Sequence, residues 1–240
     1  VRTGIFMAAV MASMLLVPAA HAASDPATEK LLKSTSDHTK FKALQRDFDS
    51  GPEVTKACLT CHTEASKQIH RTQHWKWEYT SPEGQLLGKK NVINNFCTSI
   101  TTNEAACNSC HVGYGWKDDT FDFTSEVNVD CLVCHDSTGN YRKPAGLAGN
   151  VVTKAMEFPP GSGKMMKPID LKKIAQAVGK TSRDNCGACH FFGGGGDGVK
   201  HGDMDSSLAS PDKALDVHMD ATGLNFACAT CHMTEGHQVP

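Results

Sequence analysis

The chain has 240 residues, and its 24 Lys and Arg against 26 Asp and Glu leave a formal net charge of −2. That balance gives no reason to invoke a nucleic-acid partner. Aromatic residues make up only 7% while glycine occurs 21 times, so an ordinary aromatic-rich core is not in view. The eleven cysteines and twelve histidines carry the chemistry instead.

In chain order, Arg2 precedes a mainly apolar run, "GIFMAAVMASMLLVPAA", which closes on "AHA" with Ala20 and Ala22 placed for cleavage before Ala23. Residues 1–22 therefore read as a cleavable export signal and 23–240 as the working domain. The run is short and broken by Ser13 and Pro18, which argues against a retained membrane span. Export points to the periplasm. The chain begins at Val1 rather than methionine and stops eight residues after the last cysteine motif, and is expected to be the N-terminal part of a longer protein.

Five times the chain spells two cysteines three apart with a histidine directly behind: Cys58, Cys61 and His62; Cys107, Cys110 and His111; Cys131, Cys134 and His135; Cys186, Cys189 and His190; Cys228, Cys231 and His232. This is the attachment signature of c-type haem. Two sulfurs reach the two vinyl groups on one porphyrin edge while the next side chain swings beneath the ring to ligate iron. Zinc sites also use cysteine pairs, but they gather four ligands tetrahedrally and leave five adjacent histidines unexplained. On residue frequencies alone, on the order of 0.03 such pentapeptides is expected in a chain this size. Residues 23–240 leave roughly 44 per motif, too few to wrap each haem in its own domain. Five haem c groups are thus expected to pack on one another, supplying the apolar bulk that the side chains lack.

Around these motifs, "GPEVTKACLTCHTEASKQIHRTQHW" reads as one helix from Pro52 toward Trp75. "KPIDLKKIAQAVGK" carries Ile169, Ile174 and Val178 near helical spacing, with Gly179 placed to end it. "SPDKALDVHMDATG" reads as a helix capped by Ser210 and Pro211 and ended by Gly223. No strand pattern stands out. Outside the leader and the motifs, six histidines remain. His38, His74, His201, His218 and His237 are candidates for the sixth iron position, because a low-spin electron-transfer haem takes a second axial ligand. His70 is the weakest, one turn before His74 on the same helix face. Trp75, Trp77, Tyr79, Tyr114 and Trp116 read as haem-edge packing. Asp118, Asp119 and Asp122 could hold calcium, though three neighbouring carboxylates are few for so hard a cation.

Chemistry on a substrate needs one iron whose sixth position is open or weakly held. "FFGGGGDGVKHGDMD", residues 191–205, offers a glycine run that lets backbone approach a flat ring, then Asp197 and Lys200. A lysine ligates iron as the neutral amine, which burial beside a metal favours. Read alone, the stretch also suits a solvated hinge. Cys97, the eleventh cysteine, stands outside the motifs and would ordinarily be a small buried hydrophobe.

The stretches "TKACLTCH", "HWKWEY", "GKKNVINNFC", "HVGYGWKDDTFDF", "DCLVCHD", "DNCGACHFFGGGGDGVKHGDMDSS" and "GLNFACATCHMTEGHQVP" resemble the octahaem tetrathionate reductase family of c-type cytochromes, from about His38 to Pro240. The resemblance implies a mainly α fold with extensive loops and little or no β, organised around stacked covalent haems, of which this chain covers five of eight. It implies that the haem on Cys107, Cys110 and His111 is catalytic, with Lys200 in the distal position and Asp197, Asn94 and Cys97 beside it. Tetrathionate would be split by two electrons into two thiosulfates, with a periplasmic or membrane-bound cytochrome as donor. Two other readings stand: reduction of nitrite or hydroxylamine, or a wire without catalysis. Pentahaem nitrite reductases use CxxCK at the catalytic haem, whereas every motif here ends in histidine.

Overall fold

The computed structural model describes residues 34–90, 100–191, 196–199 and 202–239, with the side chains of 100–103 excepted. Short helices outweigh sheet, and loops connect them. In chain order they are α1 (Gly51–Cys58), α2 (Ala65–Ile69), α3 (Gln73–Lys76), α4 (Ile100–Cys107), α5 (Leu132–His135), α6 (Leu171–Gln176), α7 (Arg183–His190) and α8 (Cys228–Cys231). Two small antiparallel hairpins accompany them, Tyr79–Thr80 with Leu86–Leu87 and Met156–Glu157 with Met165–Met166.

The single helix expected over 51–75 is three. It opens as the sequence implies, with Pro52 in its first turn, but breaks after Cys58. There the Thr60 hydroxyl donates to the Ala57 carbonyl at 2.7 Å, a local bond that competes with the helical ladder. α3 ends at Trp77, whose φ of 51° places it in the left-handed region. α6 starts at the Asp170 cap, whose side chain accepts from Lys173 N. It stops before Gly179 because Val178 bridges to Asp136 and Gly179 N donates to the His135 carbonyl at 2.9 Å.

The helix expected over 210–223 is absent. Aspartates at every fourth position cap their own turns: Asp212 Oδ1 accepts from Ala214 N, Asp216 Oδ1 from His218 N and Asp220 Oδ1 from Thr222 N. Each is a side-chain bond to the backbone two residues on, which favours a turn over a continued helix.

Two apolar clusters hold the fold. One gathers Leu44, Phe48, Val54, Tyr114, Leu132, Tyr141, Leu171, Ile174 and Ala175, and the other Trp75, Val112 and Val129. Both lie against cysteine motifs: Cys58 and Val133 pack on the first, Cys131 and Val133 on the second. Thr55, buried in α1, donates to the Val129 carbonyl at 2.5 Å and so ties the first motif's helix to the third motif's approach. Among the described residues, no helix is long and apolar enough to cross a membrane.

Ile174 is 1% exposed at the centre of the larger cluster. Ile174→Ala should lower stability by roughly 2–5 kcal/mol in denaturant unfolding, whereas Leu215→Ala, on an exposed turn, should change it by no more than about 0.5 kcal/mol.

Candidate haem-attachment sites

Each motif sits on or beside a short helix that turns at least one of its sulfurs toward another motif. The Cys58 thiol lies close enough to that of Cys131 to shift its ionisation, as Cys110 does to Cys189 and Cys186 to Cys228. Cys189 Sγ also lies 3.9 Å from the Cys110 carbonyl, and Cys131 Sγ lies 3.9 Å from Thr55 Oγ1. Where thiols pair, the proton is shared unequally. Cys110 is drawn down to about 6 by Cys189, and Cys228 to about 6 by Cys186. Burial pushes Cys134 up to about 11.

α7 is the junction of the set. Its capping box joins Ser182 and Asn185, and the Asn185 amide donates onward to the Val133 and Asp136 carbonyls at 3.3 and 3.0 Å, in and beside the third motif. Arg183, 8% exposed, donates to the Met219 carbonyl at 2.8 Å, the Phe226 carbonyl at 2.6 Å and Asn225 Oδ1 at 3.2 Å, fixing the segment that leads into the fifth motif. Neither residue announces this role in the sequence, because both lie just ahead of a cysteine pair and read as ordinary helix-start polar groups.

The histidines fall into pairs. Ring centres of His38 and His62 are 6.5 Å apart, of His74 and His190 6.3 Å, and of His135 and His237 6.4 Å. Four of the six rings are held through Nδ1: His38 at the Ser36 carbonyl, His135 at the Gly179 carbonyl, His190 at the Gly202 carbonyl and His237 at Gln68 Oε1. Such a bond sets the tautomer and leaves Nε2 as the ligating nitrogen. Burial lowers the pKa of His74 and His237, followed in each case by the neighbouring imidazoles, and the neutral ring is the form that binds metal. Two imidazoles opposed on one metal at about 2 Å each, with roughly 1.1 Å more from each nitrogen to its ring centre, stand roughly 6.3 Å apart. The three observed separations match that distance.

His111 is built differently. It is fully buried among Trp75, Trp77, Trp116, Phe121 and Phe123, with ring centres 4.7 to 6.2 Å away. Its Nε2 lies 2.7 Å from the Trp75 carbonyl, and its Nδ1 is buried without a hydrogen-bond partner. Burial drives its pKa down to about 3. The donor set for a haem is present, but the ring as placed spends Nε2 on Trp75, so ligation through that nitrogen requires it to be released. Gly113 makes this packing possible: a Cβ there would lie 2.8 Å from His111 Cε1 and from Trp75 Cζ3. The role of Gly113 went unread in the sequence, where "HVGYGW" offers two similar glycines.

The aromatic residues grouped in the sequence separate in space. Trp75 and Trp116 line the His111 box, Tyr79 is exposed, and Tyr114 belongs to the other cluster, bonded to Asp130. His70 stacks on Trp75 at 4.6 Å with its Nε2 buried and unpartnered. His218 is exposed, with its ring against Phe226 and its Nδ1 3.9 Å from Asp216. Asp197 accepts from Ser206 N at 2.9 Å and from Ser206 Oγ at 3.1 Å. Asn94, Cys97, Lys200 and His201 lie outside the described residues. In the acidic loop, Asp118 and Asp122 each accept from the threonine two positions on. Among the described residues, no group of three or more His, Cys, Asp or Glu could hold a metal ion.

No family model matches the chain. It is 24% identical over 231 aligned residues to an uncharacterized protein of Archaeoglobus fulgidus, over 78% of this chain and 75% of that protein. Among solved structures it resembles the octahaem cytochrome c of Shewanella oneidensis, with a TM-score of 0.70 and 50% identity over 85% of this chain. It spans 43% of that cytochrome's length.

In haem-free protein the cross-motif thiols should be the first to oxidise. Non-reducing peptide mapping after mild oxidation should show Cys58–Cys131, Cys110–Cys189 and Cys186–Cys228 links, and links confined to single CxxC pairs would contradict the contacts described.

Proposed function

From the multihaem c-type cytochrome fold of this chain, we propose that it is the electron-conducting and catalytic part of a periplasmic reductase, carrying five haem c groups, and that tetrathionate is its substrate. The observation that carries the reading is the contrast among the motif histidines. His62, His135 and His190 each face a second imidazole at 6.3 to 6.5 Å, while among the described residues the rings against His111 are those of tryptophan and phenylalanine. A centre flanked by two imidazoles is coordinatively full and passes electrons. A centre without the second imidazole can take another ligand.

Haem, once bound, supplies single electrons and a site for a sixth ligand. His38 with His62, His74 with His190 and His237 with His135 would hold the iron of three of these haems. At the Cys107, Cys110 and His111 centre, the resemblance to octahaem tetrathionate reductases assigns Lys200 as distal ligand, with Asp197, Asn94 and Cys97 around the substrate. Off the iron and protonated, the Lys200 ammonium would hold the dianion by charge-assisted bonds. The Cys97 thiolate can attack a central sulfur of tetrathionate, forming a cysteine S-thiosulfate and releasing one thiosulfate. Two electrons then release the second thiosulfate and restore the thiolate, so atoms and charge balance.

Lys200→Leu should leave haem content at five per chain and cut tetrathionate turnover by at least roughly 100-fold, the scale of a lost charge-assisted transition-state contact. Full turnover with an unaltered spectrum would rule the catalytic reading out and leave a conduit. Cys97→Ser should spare the haem spectra and lower turnover with tetrathionate while leaving hydroxylamine or nitrite reduction in place. Equal loss on all three substrates would place Cys97 in the fold rather than in sulfur chemistry.

A further inference from the structure

Between the second and third motifs lies a buried ion pair that the reading above does not use. Lys143 and Asp130 have side chains 5% and 0% exposed, with Nζ 3.0 Å from Asp130 Oδ2. The contact is an ion pair by distance, without an aligned hydrogen bond at that oxygen. Both ends are anchored. Lys143 Nζ donates to the His111 carbonyl and, at 3.3 Å, to the Gly113 carbonyl. Asp130 Oδ1 accepts from Tyr114 OH at 2.7 Å, Tyr141 OH at 3.0 Å and Val133 N at 3.0 Å. Burial raises both phenols well above their usual range, so they remain protonated donors.

The pair has a direction. Its cation sits on the backbone of His111, in the second motif, and its anion is held by Val133 inside "CLVCH" and is the peptide neighbour of Cys131, in the third. Desolvated on both sides, it is screened little by salt, and nothing in its bonding lets it swing round. A buried pair of this kind costs desolvation that apolar residues of the same size would avoid, so stability alone is a weak reason to keep it. An electron arriving at a ferric centre lowers that centre's charge by one. A nearby cation therefore favours the reduced state and raises the potential, while a nearby anion lowers it.

We propose that Asp130 and Lys143 form an oriented dipole that sets the potential difference between neighbouring haems, drawing electrons from the centre on His135 toward the centre on His111. They are positioning residues, acting through the motif backbone. The inference rests on haem attachment at these two motifs and not on the identity of the substrate, so it is tested without turnover.

The test is a potentiometric titration of the haem-loaded protein, followed optically and by EPR, on wild type, D130N/K143M and K143R. The double variant removes both charges together and so leaves neither buried alone. Its expected result is one midpoint potential falling and another rising, each by about 59 mV, a tenfold change in the one-electron equilibrium, with the other potentials unmoved. K143R keeps the cation and is expected to keep wild-type potentials; if the double variant loads haem poorly, D130N alone is the reading, with one potential expected to rise and an unmoved set counting against the proposal. Potentials that stay put in the double variant, that move in the same direction, or that shift as far in K143R overturn the proposal. Tetrathionate activity plays no part in the readout, so loss of the catalytic reading and loss of this one are told apart.

Discussion

The whole arrangement depends on imidazole rings held at a fixed separation by the backbone. His38 and His62, His74 and His190, and His135 and His237 come from distant parts of the chain, and their ring centres agree within 0.2 Å. Helices of four to eight residues are too short to be stable on their own propensity. They persist where capping, carbonyl-to-imidazole bonds and a modest apolar core fix them at once. The Gly179 and Gly202 carbonyls, each bonded to a motif histidine, belong to loops that orient those rings.

Seen this way, the fourth motif is the crossing point. Asn185 reaches the third motif, Arg183 the segment before the fifth, Cys189 the second, and His190 faces His74 from the first motif's own stretch. On the proposed reading, the fourth motif would gather electrons from several directions, and the buried Asp130 and Lys143 pair would lie on the step from the third motif to the second.

What could be read from the sequence was chemistry at short range. CxxCH declares its own purpose because three bonds to one cofactor need three residues in a fixed pattern, and the same strings locate α1, α5, α7 and α8. Pairings over long separations were not legible: nothing near His237 in the sequence points to His135, 6.4 Å away between ring centres, or to Gln68, whose side chain holds it across 169 residues. Helix lengths were overread for a related reason. Ala, Lys and Leu in "SPDKALDVHMDATG" have good helix propensity, but Asp212, Asp216 and Asp220 each found a nearer backbone partner. The tight box on His111 was invisible because it needs Gly113 to have no side chain, a fact about three-dimensional crowding.

The account turns on His111 being ligated differently from His62, His135 and His190. Low-temperature EPR with near-infrared magnetic circular dichroism on the fully oxidised, haem-loaded protein reads the axial ligands of each centre directly. Bis-imidazole signatures for the centres on His62, His135 and His190, together with one centre whose sixth ligand is an amine or is missing, are the predicted result. Two imidazoles at every iron would contradict it.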